Sequence, residues 1–248
     1  MFSNPHFDDH ESVTFVRDAS SGLAAIIAIH STARGPAMGG SRLWQYASDT
    51  DGLSDALRLS RGMSYKNALA GLPIGGGKAV ILRQSTTEKS DALLEAFGEA
   101  VEKLGGRYVT AEDVGMSVKD MQIIARKTTY VSGLPTHDDR LPGGDPSRHT
   151  SRGVFHGLKA AVRFTLGRTD LVGLRVAVQG LGSVGYNLCR ELQAAGVQLL
   201  VSDLNIERVR IAEEEFGATA VASEDILFQA VDALAPCALG GVLNANSI

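Results

Sequence analysis

Residues 175–185 read RVAVQGLGSVG, and this stretch decides the fold. Residues 175–179 are rich in valine and read as a buried strand. Gly180-x-Gly182-x-x-Gly185 follows directly and opens a helix that runs through Ala195. The next strand, VQLLVSD, ends at Asp203, eighteen residues after Gly185. A helix over 206–216 comes next, then short apolar runs at 219–222 and 231–235. Strand and helix alternate, which implies a parallel sheet. In this context the glycines have distinct tasks. Gly180 permits a tight turn, Gly182 lets backbone approach a pyrophosphate, and Gly185 lets the helix pack closely on the sheet. Ser183 and Val184 lie at the helix N-terminus, where backbone amides favour an anion. Asp203 would accept hydrogen bonds from a ribose and repel a 2′-phosphate, so NAD is expected over NADP. The bland alternative is a glycine-rich turn beside a helix-capping Asp203.

Upstream, a helix over about 151–166 leads into this unit. Residues 134–149 are rich in Pro, Gly and Asp without periodicity, and read as an interdomain connection. Two domains follow, 1–133 and 134–248. The first begins with strands at 12–16 and 23–29, joined by DASSG as a hairpin turn. Helices are expected over 50–70, 90–104 and 117–127, a strand over 107–110, and another strand opened by Lys78. The fold class is α/β in two domains.

The 248 residues suit one large domain or two modest ones. A net charge of −4 leaves no basic footprint for nucleic acid. The polar, acidic N-terminus is no signal peptide. The longest apolar run, 23–29, is too short to span a membrane. Cys189 and Cys237 have neither metal spacing nor a disulfide framework. No metal is expected, and a reduced cytoplasmic setting fits.

Residues 70–82, AGLPIGGGKAVIL, imitate a phosphate loop and fail as one. Leu72 stands where the first glycine is needed, Ala79 where a hydroxyl is needed, and the lysine precedes a strand-like run instead of a helix. Yet a flexible turn would not place a lysine at the entrance to a core, since lysine is almost never buried unpaired. Lys66 lies twelve residues before Lys78, and TAEDVG brings Asp113 to the end of a strand.

GPAMGGSRLW, DALRLSRGMSYKNALAGLPIGGGKAVI, GRYVTAEDVG, DPSRHTSRGVFHGLKAA, VAVQGLGSVG and APCALGGVLN occur in this order. Together they resemble the amino-acid dehydrogenases of the glutamate/leucine/phenylalanine/valine type, and the leucine enzymes above all. The resemblance implies an N-terminal substrate domain and a Rossmann-like NAD domain. It implies NAD-dependent oxidative deamination of a branched-chain L-amino acid to the 2-oxo acid and ammonia, with homo-oligomerisation. By position, Lys66 would pair with the substrate carboxylate, Lys78 would be the general base, and Asp113 would relay a proton. Gly39 and Gly40 would line the substrate pocket, Met38 and Ala111 its side-chain end, and Thr150 would contact the nicotinamide amide. Ala111 leans toward branched aliphatic substrates, with L-phenylalanine as the alternative. Members of the family run further than Ile248, which implies an NAD domain truncated at its C-terminal end. The competing expectation is a catalytically poor remnant that binds NAD or another subunit.

Overall fold

A computed structural model describes residues 2–83, 88–136 and 143–247. The chain divides into two compact units, Met1–Asp145 and Pro146–Ile248. The division falls twelve residues beyond the expected boundary, because 128–136 remain tied to the first unit. The Tyr130 carbonyl accepts from the Thr110 amide, and the Ser132 amide donates to the Thr110 carbonyl. Of the expected connection, 137–142 lie outside the described residues, while Ser147–His149 already form helix.

In the first unit, β1 (Ser12–Asp18) and β2 (Leu23–Ser31) form an antiparallel hairpin. β2 pairs antiparallel with β5 (Gly75–Leu82). Two short strands, β3 (Ala37–Met38) and β4 (Ser41–Trp44), run parallel to β5, and β6 (Tyr108–Val109) runs parallel to β3. Side chains alternate across a strand, and β2 shows what that does. Ala25, Ile27 and Ile29 pack with Ala79 and Ile81 against α2 (Asp91–Glu102) and α3 (Val118–Ile124), through Leu93, Phe97 and Ile124. Ile26 and Ala28 pack with Val80 against α1 (Asp49–Leu69), through Ala56 and Leu57. The sheet is therefore covered on both faces, and Lys78 shares a face with Val80, toward α1.

Each of these three helices starts on a serine. Ser48, Ser90 and Ser117 accept from backbone amides of the first turns of α1, α2 and α3, satisfying donors that the helix itself cannot.

β5 starts at Gly75, not at Lys78 as expected, so the three glycines lie inside the strand. Glycine weakens a strand unless neighbours must come close, and here they do. A Cβ on Gly75 would lie 2.0 Å from the Ser31 carbonyl oxygen, one on Gly76 2.2 Å from the Ser64 nitrogen, and one on Gly77 2.7 Å from the Tyr108 ring. The glycines let β2, α1 and Tyr108 close onto β5.

The second unit is a parallel sheet in the order β10-β7-β8-β9, formed by β7 (Arg175–Gln179), β8 (Gln198–Ser202), β9 (Thr219–Ala220) and β10 (Ala233–Pro236). α4 (Ser147–Leu166), α5 (Ser183–Ala194) and α6 (Ile206–Phe216) cover one face. Leu158, Val162, Leu188, Leu192 and Val209 meet Val176, Val178, Leu199 and Val201 there. On the other face, Ala177 and Leu200 pack against Ile226 of a single 3-10 turn. The strand order is that of a dinucleotide-binding half-fold. Among the described residues no helix is long and apolar enough to cross a membrane.

Candidate active site

Lys78 is 5% exposed in the middle of β5. Its ammonium donates to Oδ2 of Asp113 at 2.7 Å. Asp113 follows β6 in a loop fastened to β4. The Ser41 amide donates to the Ala111 carbonyl and the Leu43 amide to the Val114 carbonyl. Gly115, at φ 81°, passes so close that a Cβ would lie 2.2 Å from the Leu43 carbonyl oxygen.

Asp113 Oδ2 has a second donor, Nε of Arg42 on β4, at 2.8 Å. Arg42 turns its Nη1 to Oδ2 of Asp55 on α1 at 2.7 Å. Asp55 also accepts from the Tyr46 hydroxyl and from Nη2 of Arg58, each at 2.7 Å. Charge alternates along the series Lys78, Asp113, Arg42, Asp55, Arg58.

Burial pushes Lys78 below the usual lysine range; Asp113 pulls it back up, and Arg42 pushes it further down. Burial alone would raise Asp113, but Lys78 and Arg42 outweigh it and hold the carboxyl below its usual range. Asp55 is likewise held low, because Tyr46, Arg42 and Arg58 outweigh its burial.

Lys66 stands in the last turn of α1, exposed, and its ammonium has no partner among the described residues. The turn that carries it is locked to β5. Asn67 donates through its side-chain amide to the Gly75 carbonyl at 2.7 Å, and Gly76 abuts Ser64. These two contacts fix where both lysines emerge.

Gly39 and Gly40 serve close packing. A Cβ would lie 1.8 Å from the Gly77 carbonyl oxygen at Gly39, and 2.4 Å from the Glu112 carbonyl oxygen at Gly40. Tyr108 donates through its hydroxyl to the Gly39 carbonyl at 2.6 Å. Met38, half-buried, pairs with Gly76 and Val109; Ala111 is half-buried beside Ser41. In the second unit, Thr150 is exposed in the first turn of α4 and donates to the Pro146 carbonyl at 3.0 Å.

Gly180 takes φ 88°, and its amide donates to the Ser202 carbonyl at 2.8 Å. A Cβ on Gly185 would lie 1.9 Å from the Gly180 carbonyl oxygen, which only glycine permits. Gly182 faces open space and is the N-cap of α5, with no side chain capping the helix. Ser183 is exposed and Val184 half-buried at the same end. Uncapped amides at a helix N-terminus suit an anion such as a pyrophosphate. Asp203 does not cap α6, since Asn205 does. It accepts from the Leu181 amide at 2.6 Å and the Asn205 amide at 2.8 Å, with Arg208 at 3.6 Å. The aspartate thus braces the glycine turn, and its remaining lone pairs can still accept from a ribose hydroxyl. Among the described residues no cluster of ligands could hold a metal.

Sequence reading alone missed Arg42, Asp55, Tyr46 and Arg58. The available signal was the spacing of Asp55 and Arg58 on one helix face, with Arg42 between the buried Ser41 and Leu43.

A family model described as Glu/Leu/Phe/Val dehydrogenase, dimerisation domain, matches residues 10–130. A leucine dehydrogenase of Geobacillus stearothermophilus is 51% identical over 240 residues, 97% of this chain and 65% of that protein. A valine dehydrogenase of Streptomyces coelicolor is 46% identical over 96% of this chain and 66% of its own length. The crystal structure of L-tryptophan dehydrogenase from Nostoc punctiforme superposes with a TM-score of 0.68 at 45% identity, covering 96% of this chain and 67% of that one. The chain thus spans about two thirds of the length of these relatives. It belongs to the Glu/Leu/Phe/Val dehydrogenase family.

Proposed function

We propose that the chain carries out, or carries the catalytic residues for, NAD-dependent oxidative deamination of a branched-chain L-amino acid. The observation that carries this reading is the buried Lys78 paired with Asp113 at 2.7 Å. A lysine in such a place is costly to the fold and is suited to base chemistry, because burial favours its neutral form.

Each residue then has a task. Lys66, exposed and unpaired among the described residues, binds the substrate carboxylate. The substrate binds with a neutral amine, which donates a hydrogen bond to Asp113. Gly180, Gly182, Ser183, Val184, Gly185 and Asp203 would hold NAD, with Thr150 at the nicotinamide amide, and the cofactor would supply the hydride acceptor for the substrate Cα. Lys78 takes a proton from the water that adds to the resulting iminium carbon. That proton passes by way of Asp113 to the departing nitrogen, Lys78 takes the hydroxyl proton of the carbinolamine as the C–N bond breaks, and ammonia and the 2-oxo acid are released. The protein's share is positioning and electrostatics.

Met38 and Ala111, with Gly39 and Gly40, line the pocket in this reading. The relatives named for leucine, valine and tryptophan all take apolar side chains. One methylene in such a pocket is worth only ~1–3 kcal/mol, so the reading is of the branched-chain class (leucine, valine or isoleucine), with L-phenylalanine as the alternative. The match to a dimerisation domain over residues 10–130 supports a homo-oligomer. It also favours a second reading, a subunit-interaction or NAD-binding protein without turnover. NADH formation at alkaline pH with L-leucine, L-valine, L-phenylalanine or L-glutamate separates the two. Turnover with an aliphatic substrate supports the first reading, and NAD binding without turnover on any of them supports the second.

A further inference from the structure

A lysine and a carboxylate left alone in a buried site hold each other charged, since an opposite charge within about 4–6 Å favours the ionised form. That would keep Lys78 an ammonium and useless as a base. Arg42 changes the balance. It occupies the same oxygen of Asp113 that Lys78 uses, at 2.8 Å against 2.7 Å. A guanidinium is always charged, so the carboxylate is already neutralised before Lys78 is considered. Arg42 cannot drift away, because its other arm is held by the buried Asp55, which Tyr46 and Arg58 hold in turn.

Resting on the deaminating reading above, we propose that Arg42, anchored by Asp55, is the positioning residue of this site: it fixes the Asp113 carboxylate and takes up its charge, so that Lys78 can serve as base. The charged groups acting on Lys78 are Asp113 from the loop after β6, Arg42 from β4 and Asp55 from α1. β3 brings none. The titratable group of β2 on this face, His30, is turned to Ser64 at 2.8 Å. On α1, Arg58 is spent on Asp55, Arg61 lies 3.7 Å from Asp8, and Lys66 is exposed.

The test reads Lys78 without needing turnover. Each lysine is labelled competitively with a trace of acylating reagent across a range of pH and quantified by mass spectrometry, with Lys66 as internal reference. Arg42→Gln is expected to slow labelling of Lys78 about tenfold on the rising limb, with Lys66 unmoved. In an active preparation the rising limb of kcat/KM moves to higher pH to the same extent, while KM for the amino acid is nearly unchanged. Arg42→Lys, which restores charge without the fork, recovers part of both. If Arg42→Gln fails to fold, Arg42→Gln/Asp55→Asn removes the buried unpaired carboxylate and is expected to slow Lys78 labelling in the same direction by a smaller factor, because Asp55 itself raises Lys78. Unchanged Lys78 labelling in a folded Arg42→Gln or double variant overturns the proposal, whatever the reaction. Normal turnover by Lys78→Ala would instead overturn the base assignment on which it rests.

Discussion

Lys78 and Arg42 donate to one and the same oxygen, Oδ2 of Asp113, at 2.7 Å and 2.8 Å. Two cations on one carboxylate oxygen are affordable only because burial weakens one of them: Lys78 is driven below its ordinary range, while Arg42 stays charged. Removing the lysine therefore removes the base and leaves the carboxylate paired. Lys78→Ala is expected to fold, to bind the amino acid through Lys66, and to lose about 10²–10⁴-fold in kcat. Binding without turnover, read by calorimetry beside an activity assay, is the expected pair of results.

The lowered Lys78 also sets a pH dependence. Below its folded value it is an ammonium and cannot accept a proton; above that value it can. Activity should rise with pH through a value below the ordinary 10.5 of lysine. A rate profile flat across that range would contradict the assignment.

Gly76 locks α1 to β5. Ala at this position would put its methyl 2.2 Å from Ser64 and 2.6 Å from the Ser60 carbonyl oxygen. Overpacking of this kind costs about 1–3 kcal/mol and separates the turn bearing Lys66 from β5. Gly76→Ala should lower the unfolding midpoint and raise KM for the amino acid. Gly62, in the middle of α1 with open space around it, is the control. Gly62→Ala should stabilise by up to about 1 kcal/mol, in the same denaturation experiment.

The glycine turn separates packing from binding. Gly185→Ala cannot be accommodated against the Gly180 carbonyl and should cost both stability and NAD affinity. Gly182→Ala meets no atom within 4 Å beyond its chain neighbours, so it should weaken NAD binding with only the small stability loss of a poorer N-cap. Titration with NAD alongside thermal unfolding distinguishes the two.

His10 is buried under α1. Its Nδ1 accepts from the Asp8 amide at 3.2 Å, so Nε2 carries the proton and donates toward the Leu57 carbonyl and Ser60, each at 3.0 Å. The ring is neutral, and burial holds it below 6.5. The unfolded chain therefore takes up a proton near pH 6.5 that the folded chain resists. The contribution of His10 is complete above pH 6.5 and is lost as pH falls below it. Denaturant titrations on either side of that pH should show the loss, and His10→Gln should flatten it.

Much of the second unit is legible in the sequence because its signals are local. The Gly180, Gly182 and Gly185 spacing and the valines of β7 each mark their element unaided. α4 begins four residues before the expected 151 because Pro146 precedes it without any capping side chain, so no cap residue announced the start. The glycines of β5 mislead because local propensity counts against glycine in a strand, and the close neighbours that require it come from distant segments. β3 and β4 are too short for periodicity to show. Lys78 and Asp113 stand out in the sequence by their places at a strand entrance and a strand end, and their roles follow only from the family resemblance. Arg42 and Asp55 are harder to read: the Asp55 and Arg58 spacing marks only an ion pair on α1, while the series joins β4, α1 and the loop after β6 across the fold.

The most direct measurement is NADH formation from L-leucine and NAD by this chain and by its Lys78→Ala variant, at one protein concentration and alkaline pH. Turnover by the parent chain and none by the variant is the expected result. Equal turnover by the two would contradict the account.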